Sequence, residues 1–404
     1  MDLFAEFDPD RCKLCGECLH RCPVLRLPVR DAVDEVRRLR DGRETRAVLQ
    51  RCQSCFSCNL SCPEQANPTQ LVLRRWSEAV RRDGLAARGA YYVPHEPRNF
   101  RSYVVDRLPP DEAAMVRGWA DRSPAPEILY PGCNWITAPY LARTRALEGV
   151  TIRGSLAACC GETYYRMGLF DRVRQSAERL RAYLEGMQVE RLIVPCTAGL
   201  NMMRNVMPRF GIELQAEVEH IVPWLLRRLD RGELSTVRKL DLTVTVQESC
   251  YGKLFGREFM EQPRELLARL GVRVVEQPLH GDRALCCGIA GGFSPTSAFH
   301  PADVTRATLR ALQEARRTGA DAIATYCAGC LQMLPMGQLA DPRSRQPVYH
   351  LLELLQMALG EPVLGMGEKR RRAATMLAGV TRHQGPALLS RRRIHLPPLG
   401  RMEP

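Results

Sequence analysis

Residues 12–23 read CKLCGECLHRCP, and residues 52–63 read CQSCFSCNLSCP. Both are C-x2-C-x2-C-x3-C-P, with Cys12, Cys15, Cys18 and Cys22 in one run and Cys52, Cys55, Cys58 and Cys62 in the other. This is the bacterial ferredoxin spacing for 4Fe–4S clusters. Two-residue gaps let three thiolates wrap one cubane while backbone amides point at the sulfurs. The fourth Cys lies too far along to close the same cubane and crosses to the other one. The spacing therefore assigns cluster one to Cys12, Cys15, Cys18 and Cys62, and cluster two to Cys52, Cys55, Cys58 and Cys22. Two zinc sites would need only pairs of C-x2-C, leaving the third Cys and the Pro of each run without a role. Twenty-nine residues separate Cys22 from Cys52. Residues 31–50, DAVDEVRRLRDGRETRAVLQ, read as helical, so an α-helical ferredoxin module over residues 1–73 is expected rather than the small β-sheet kind.

Working outward, residues 74–126 hold no Cys and several prolines. They read as a connector packed on the outside of the core, with DEAAMVRGWA as a short helix. Beyond it the chain repeats. EILYPGC ends at Cys133 and LTVTVQESC ends at Cys250; each is a β-rich run that delivers a Cys at its end. Cys159-Cys160-Gly161 and Cys286-Cys287-Gly288 follow, then amphipathic stretches at 170–187 and 301–319. A second apolar strand leads to Cys196 in one half and to Cys327 and Cys330 in the other. Each half closes with a His, His220 or His350, before an apolar helix. Strand, helix, strand, helix twice over argues two similar α/β domains with mainly parallel sheets, at 127–238 and 239–367.

A helical two-cluster ferredoxin followed by two cysteine-rich modules, each with Cys-Cys-Gly, resembles the CCG-domain iron–sulfur proteins. That group includes the D-type catalytic subunit of heterodisulfide reductase. It also includes the iron–sulfur subunits of glycolate oxidase, lactate-utilisation enzymes and anaerobic glycerol-3-phosphate dehydrogenase. The likeness spans about residues 10–360. Its pattern is one Cys, a gap in the thirties, Cys-Cys-Gly, a similar gap, then C-x-x-C. The second module has all of it: 35 residues separate Cys250 from Cys286, and 39 separate Cys287 from Cys327. The resemblance implies that Cys250, Cys286, Cys287, Cys327 and Cys330 hold a non-cubane 4Fe–4S cluster and form the catalytic centre. Gly288, Gly291 and Gly292 allow tight backbone approach and positive φ. The first module departs: its first gap is 25 residues, and Gly199 stands where the last thiolate would be. Cys133, Cys159, Cys160 and Cys196 remain, able to hold a cubane, a four-ligand variant, zinc or no metal. His220 and His350 read as packing or capping residues. Glu162, Tyr164, Tyr165, Tyr251, Lys253 and Tyr326 flank the cysteines and are candidates for shaping a substrate or quinone pocket.

The chain of 404 residues holds 17 Cys, is 45% apolar and 25% charged, and carries a formal charge of +13. This is a globular composition, not a disordered or fibrous one. No apolar run approaches the roughly 18 residues of a spanning helix. The stretch MDLFAEFDPD has no basic or apolar segment of a signal peptide, so the expected place is the cytoplasm, where clustered Cys means metal or redox chemistry. Residues 368–404 hold nine Lys/Arg against Glu368 and Glu403, over half of the positive excess. That local bias argues against a nucleic-acid partner and reads as a disordered basic tail, peripheral at most to an anionic membrane face.

The resulting functional expectation is a redox subunit of heterodisulfide-reductase type. It would pass electrons from the ferredoxin clusters to the second-module cluster for thiol or disulfide chemistry. The alternative is an electron conduit for a flavin-dependent dehydrogenase of a 2-hydroxy acid or glycerol 3-phosphate, delivering to quinone or cytochrome. No flavin fingerprint appears, since GIAGG lacks the G-x-G-x-x-G spacing. Either way, a flavin-containing or cytochrome partner subunit is expected.

Overall fold

The computed structural model describes residues 2–295 and 300–400. Its first described strand begins at Leu85; before it lie helices Glu17–His20, Val29–Arg40, Val48–Arg51, Ser57–Leu60 and Pro68–Asp83. The insert between the cysteine runs forms helix Val29–Arg40, burying Ala32, Val36 and Leu39 at helical spacing. The turn after it is held by Glu35, whose buried carboxylate accepts the N–H groups of Arg46 at 2.7 Å, Ala47 at 3.0 Å and Val48 at 2.9 Å. These include donors that the start of helix Val48–Arg51 would otherwise leave unpaired. Helix Pro68–Asp83 buries Leu71, Val72, Leu73 and Trp76. It runs through the boundary expected after residue 73, because its apolar stripe continues past that point.

Among the described residues, nine strands make three sheets. They are β1 (Leu85–Ala86), β2 (Glu127–Leu129), β3 (Arg191–Val194), β4 (Glu217–His220), β5 (Leu242–Gln247), β6 (Val272–Val274), β7 (Ala322–Thr325), β8 (Val348–His350) and β9 (Arg393–Ile394). The first cysteine-rich module has the parallel order β2-β3-β4, and the second has β6-β5-β7-β8, also parallel. The register repeats: Val194 pairs with His220 and Thr325 with His350. Each of these histidines caps the helix that follows. Its Nδ1 accepts the N–H of Val222 at 3.4 Å or of Leu352 at 3.3 Å, which is the capping role expected from sequence.

In an open parallel sheet, functional groups gather beyond the carboxyl ends of the strands. Here Cys133 follows β2, Cys196 follows β3, Cys250 follows β5 and Cys327 follows β7. Short apolar strands therefore present the leading cysteines of both modules at the same edge of their sheets.

Two expectations need correction. The connector does contain the expected helix, Pro110–Trp119, but it is not only an outer cover. Arg101, at the start of helix Phe100–Val105, is buried and reaches the first module's cysteines. The basic C-terminal stretch is not a disordered tail either. It forms helix Met366–Gln384, then β9, which pairs antiparallel with β1. Its charges are matched from afar. Lys369 is buried against Glu353, and Arg372 grips both oxygens of Glu112 at 2.8 Å each. Arg370 and Arg371 stay exposed, and residues 401–404 lie outside the described chain. None of the described helices is long and apolar enough to cross a membrane.

Candidate iron–sulfur sites

All eight cysteines of residues 12–62 line one cavity among the ferredoxin helices. The backbone is bent alike in both runs: Leu14 (φ 55°) and Gly16 (φ 77°) match Ser54 (φ 42°) and Phe56 (φ 62°). Three of these are not glycine, so the wrap is held against local preference by the surrounding fold. Backbone N–H groups turn toward sulfur, from Leu25 to Cys22 at 3.4 Å, Ser54 to Cys52 at 3.3 Å and Ala66 to Cys62 at 3.4 Å. Thr69 Oγ1 lies 2.8 Å from Cys58 Sγ.

Electrostatic proximity sorts these thiols. Burial, then Cys58, Cys62, Cys12 and Cys15, push Cys18 up. Burial and Cys55 push Cys22 up to about 11, and burial with Cys58, Cys55 and Cys22 raises Cys52. Cys18 is thus acted on by cysteines of both runs, Cys58 first, and Cys22 by Cys55 of the second run. Buried soft donors that repel one another in this way fit a bound cationic metal core.

In the second module Cys250, Cys286, Cys287, Cys330 and Cys327 form a chain of neighbouring thiols. Each thiol stands close enough to the next to shift its ionisation: Cys250 with Cys286, Cys286 with Cys287, Cys287 with Cys330 and Cys330 with Cys327. Cys286 and Cys330 bring Cys287 down to about 6 in spite of its burial. Gly288, at φ 107°, lies so near helix Pro301–Arg316 that a Cβ there would come within 2.6 Å of Thr308 N. The expected need for glycine after Cys-Cys is met there. A thiolate-rich pocket of this kind suits iron–sulfur ligation.

The first module keeps a smaller pocket lined by Cys133, Cys159, Cys160, Cys196 and Gly199. Cys133 stands beside Cys159, and Arg101 lines the same pocket and acts on Cys133. At Gly199 a Cβ would meet nothing within 4 Å, so the place of the absent thiolate is open. Cys196 lies beside Cys327 of the second module.

Of the flanking candidates, most tie elements together. Tyr165 Oη accepts from Gln70 Nε2 at 2.8 Å, Tyr164 Oη donates to Pro94 O, and Tyr326 Oη donates to Glu248. Tyr251 stands 5.9 Å from Phe56, which also stacks on Tyr165 at 6.1 Å, so one ferredoxin ring touches both modules. Glu162 borders the first pocket. Lys253 is buried, with Nζ donating to Ser57 Oγ at 2.5 Å and to Ala284 O at 3.3 Å.

Sequence reasoning missed Arg166. It is 2% exposed and meets three parts of the chain. Its guanidinium donates to Gln53 O at 2.8 Å, to Ser54 Oγ at 3.2 Å and to Cys250 Sγ at 3.3 Å, with Glu162 Oε1 at 3.4 Å. The only local signal is its place four residues after Glu162; the ferredoxin contact lies over a hundred residues away.

Comparison with known proteins agrees with this layout. The 4Fe-4S dicluster domain matches residues 5–66, and the cysteine-rich CCG domain matches residues 129–204 and 244–335. The chain is 29% identical over 223 residues to the Probable iron-sulfur-binding oxidoreductase FadF of Bacillus subtilis, covering 54% of this chain and 30% of that protein. It is 24% identical to the B-type polypeptide of the CoM/CoB fumarate reductase of Methanothermobacter marburgensis, covering 87% of this chain and 72% of the relative. It is 23% identical to the D-type polypeptide of the dihydromethanophenazine:CoB–CoM heterodisulfide reductase of Methanosarcina acetivorans, covering 81% of this chain and 89% of the relative. The chain thus spans under a third of FadF and most of the other two.

Proposed function

We propose that this chain, which joins a 4Fe-4S dicluster domain to two CCG cysteine-rich domains, is the iron–sulfur subunit of a heterodisulfide-reductase-type oxidoreductase. The observation that carries this reading is the run of five neighbouring thiols Cys250, Cys286, Cys287, Cys330 and Cys327, three of them buried, placed against the ferredoxin loop by Arg166. When bound, the clusters supply one-electron transfers and, at the second module, reduction of a disulfide by two electrons and two protons to two thiols.

The residues divide the work. Cys12, Cys15, Cys18 and Cys62, with the partly exposed first run, form the outer set, and Cys52, Cys55, Cys58 and Cys22 form the inner one. Cys250, Cys286, Cys287, Cys327 and Cys330 hold the reacting centre. Gly288 lets helix Pro301–Arg316 close over that centre. The first module is a supporting site, since it has four thiols and an open position at Gly199. A flavin-containing or cytochrome subunit supplies electrons, and the chain works at the cytoplasmic side, peripheral to the membrane at most. The conduit reading is not favoured by the relatives, several of which are D-type polypeptides of heterodisulfide reductases.

Anaerobic iron analysis and EPR of the full chain test this. The expected result is about eight irons from the ferredoxin cysteines plus those of the second module. A thiol-dependent paramagnetic signal should vanish in Cys286→Ser or Cys287→Ser and survive in Cys159→Ser. Stoichiometric zinc without iron, or equal loss from all three variants, overturns it.

A further inference from the structure

Two cations are buried where the ferredoxin module meets the second cysteine-rich module. Lys253 is 1% exposed and Arg166 is 2% exposed. Taking such charges out of water is costly unless an opposite charge receives them. Lys253 Nζ has only neutral oxygen acceptors, Ser57 Oγ and Ala284 O. Among the described residues no carboxylate makes an ion pair with it. Arg166 meets one carboxylate, Glu162 Oε1 at 3.4 Å. The pair therefore carries more positive charge than the protein's own acids cancel locally.

The thiols supply the complement. Ser57, which receives the Lys253 ammonium, also bonds Cys55 at 3.4 Å, and Arg166 joins the Gln53 carbonyl to Cys250 Sγ. Both cations act on Cys55 against its burial, and Lys253 acts on Cys22 as well. Among the described residues the outer set has no such buried companion: Lys13 lines the same cavity but is exposed and donates to Asp10 O at 3.3 Å. A fixed charge in a dry interior acts much more strongly than one in water.

We propose that Lys253 and Arg166 are built-in counter-charges that make the inner ferredoxin site and the Cys250–Cys286 side of the second module easier to reduce than the outer ferredoxin site. This rests on the ligand reading given above. One electron leaving the outer site is received by the inner site with no proton moved, because the compensating charge is already in place. The two side chains thereby set the direction of electron flow toward the second module.

The test is an EPR-monitored redox titration of the anaerobically reconstituted full chain, with iron content measured on every sample. In Lys253→Met and in Arg166→Gln, the inner ferredoxin signal should need a lower potential. The oxidised-to-reduced ratio at fixed potential should rise at least tenfold, about 59 mV for a one-electron couple. Lys253→Arg and Arg166→Lys should stay within about threefold of the parent, and the outer signal should not move. Full iron with unshifted titrations in both neutral variants overturns the proposal. If the neutral variants lose iron while the charge-keeping ones retain it, charge compensation is supported; loss from all four overturns it. Absence of iron from the parent chain instead defeats the ligand reading itself.

Discussion

The thiol of Cys196, carried by the first cysteine-rich module, stands beside the sulfur of Cys327, carried by the second. That contact, together with burial, holds the Cys196 thiol well above its ordinary value. The two modules are repeats in sequence, but at this point they share a site.

Replacing Cys196 should therefore reach across the repeat. Cys196→Ser is expected to change the EPR line shape of the second-module centre, whereas Cys133→Ser should leave it as in the parent chain. Cys133 stands beside Cys159, within its own module. Identical spectra for the two variants would show that the shared contact has no electronic effect.

Gly199 offers the reverse experiment. The space for a Cβ is open there, so Gly199→Cys should fold with a melting temperature within about 4 °C of the parent, corresponding to under about 1 kcal/mol. It should also raise the iron bound by the first module. Iron content unchanged, with the new thiol freely alkylated in the folded protein, would show that the pocket does not take a cluster.

Lys369 and Glu353 form a buried pair, with Nζ 2.7 Å from Oε1 and 2.8 Å from Oε2. Lys369→Met leaves the buried carboxylate without its counter-charge, with the His350 N–H at 2.9 Å still donating to it, at an expected cost of about 3–5 kcal/mol. Burial already holds the Glu353 carboxyl above its usual range in spite of Lys369. An acid raised in the folded state favours folding most below its unfolded value and loses that contribution as pH rises through the folded one. Without the lysine that value rises further. The deficit of the variant should hence be larger at about pH 8 than at about pH 5 by denaturant titration. A deficit independent of pH would mean that lost packing, not charge, is responsible.

How much of this was legible beforehand follows from how far apart the partners lie. The ferredoxin cysteines and the Cys-Cys-Gly pairs are spaced for local wrapping, and short apolar strands lead straight into Cys133, Cys196, Cys250 and Cys327, so the order of modules could be read directly. Leu71 to Trp76 already carried the apolar stripe of a helix that continues past residue 73. The C-terminal helix was misread because Lys369 and Arg372 look unpaired locally. Their acids, Glu353 and Glu112, come from other elements, the latter 260 residues earlier. Arg166 was invisible for the same reason: its role depends on Gln53 and Cys250 arriving beside it, and no local pattern encodes that meeting.

The pairing of β1 with β9 imposes a timetable on biosynthesis. Leu85 is partnered by Ile394, so the edge beside the ferredoxin helices remains uncovered until the chain has been made through residue 394. At roughly 5–20 residues per second, that wait is about 15–60 s. All eight ferredoxin cysteines have left the ribosome long before then. Metal delivery to them has an interval in which neither the second module's Lys253 nor the C-terminal strand is yet in place. A chain that stops short of β9 keeps its thiols but presents a bare strand edge, open to pairing with another chain.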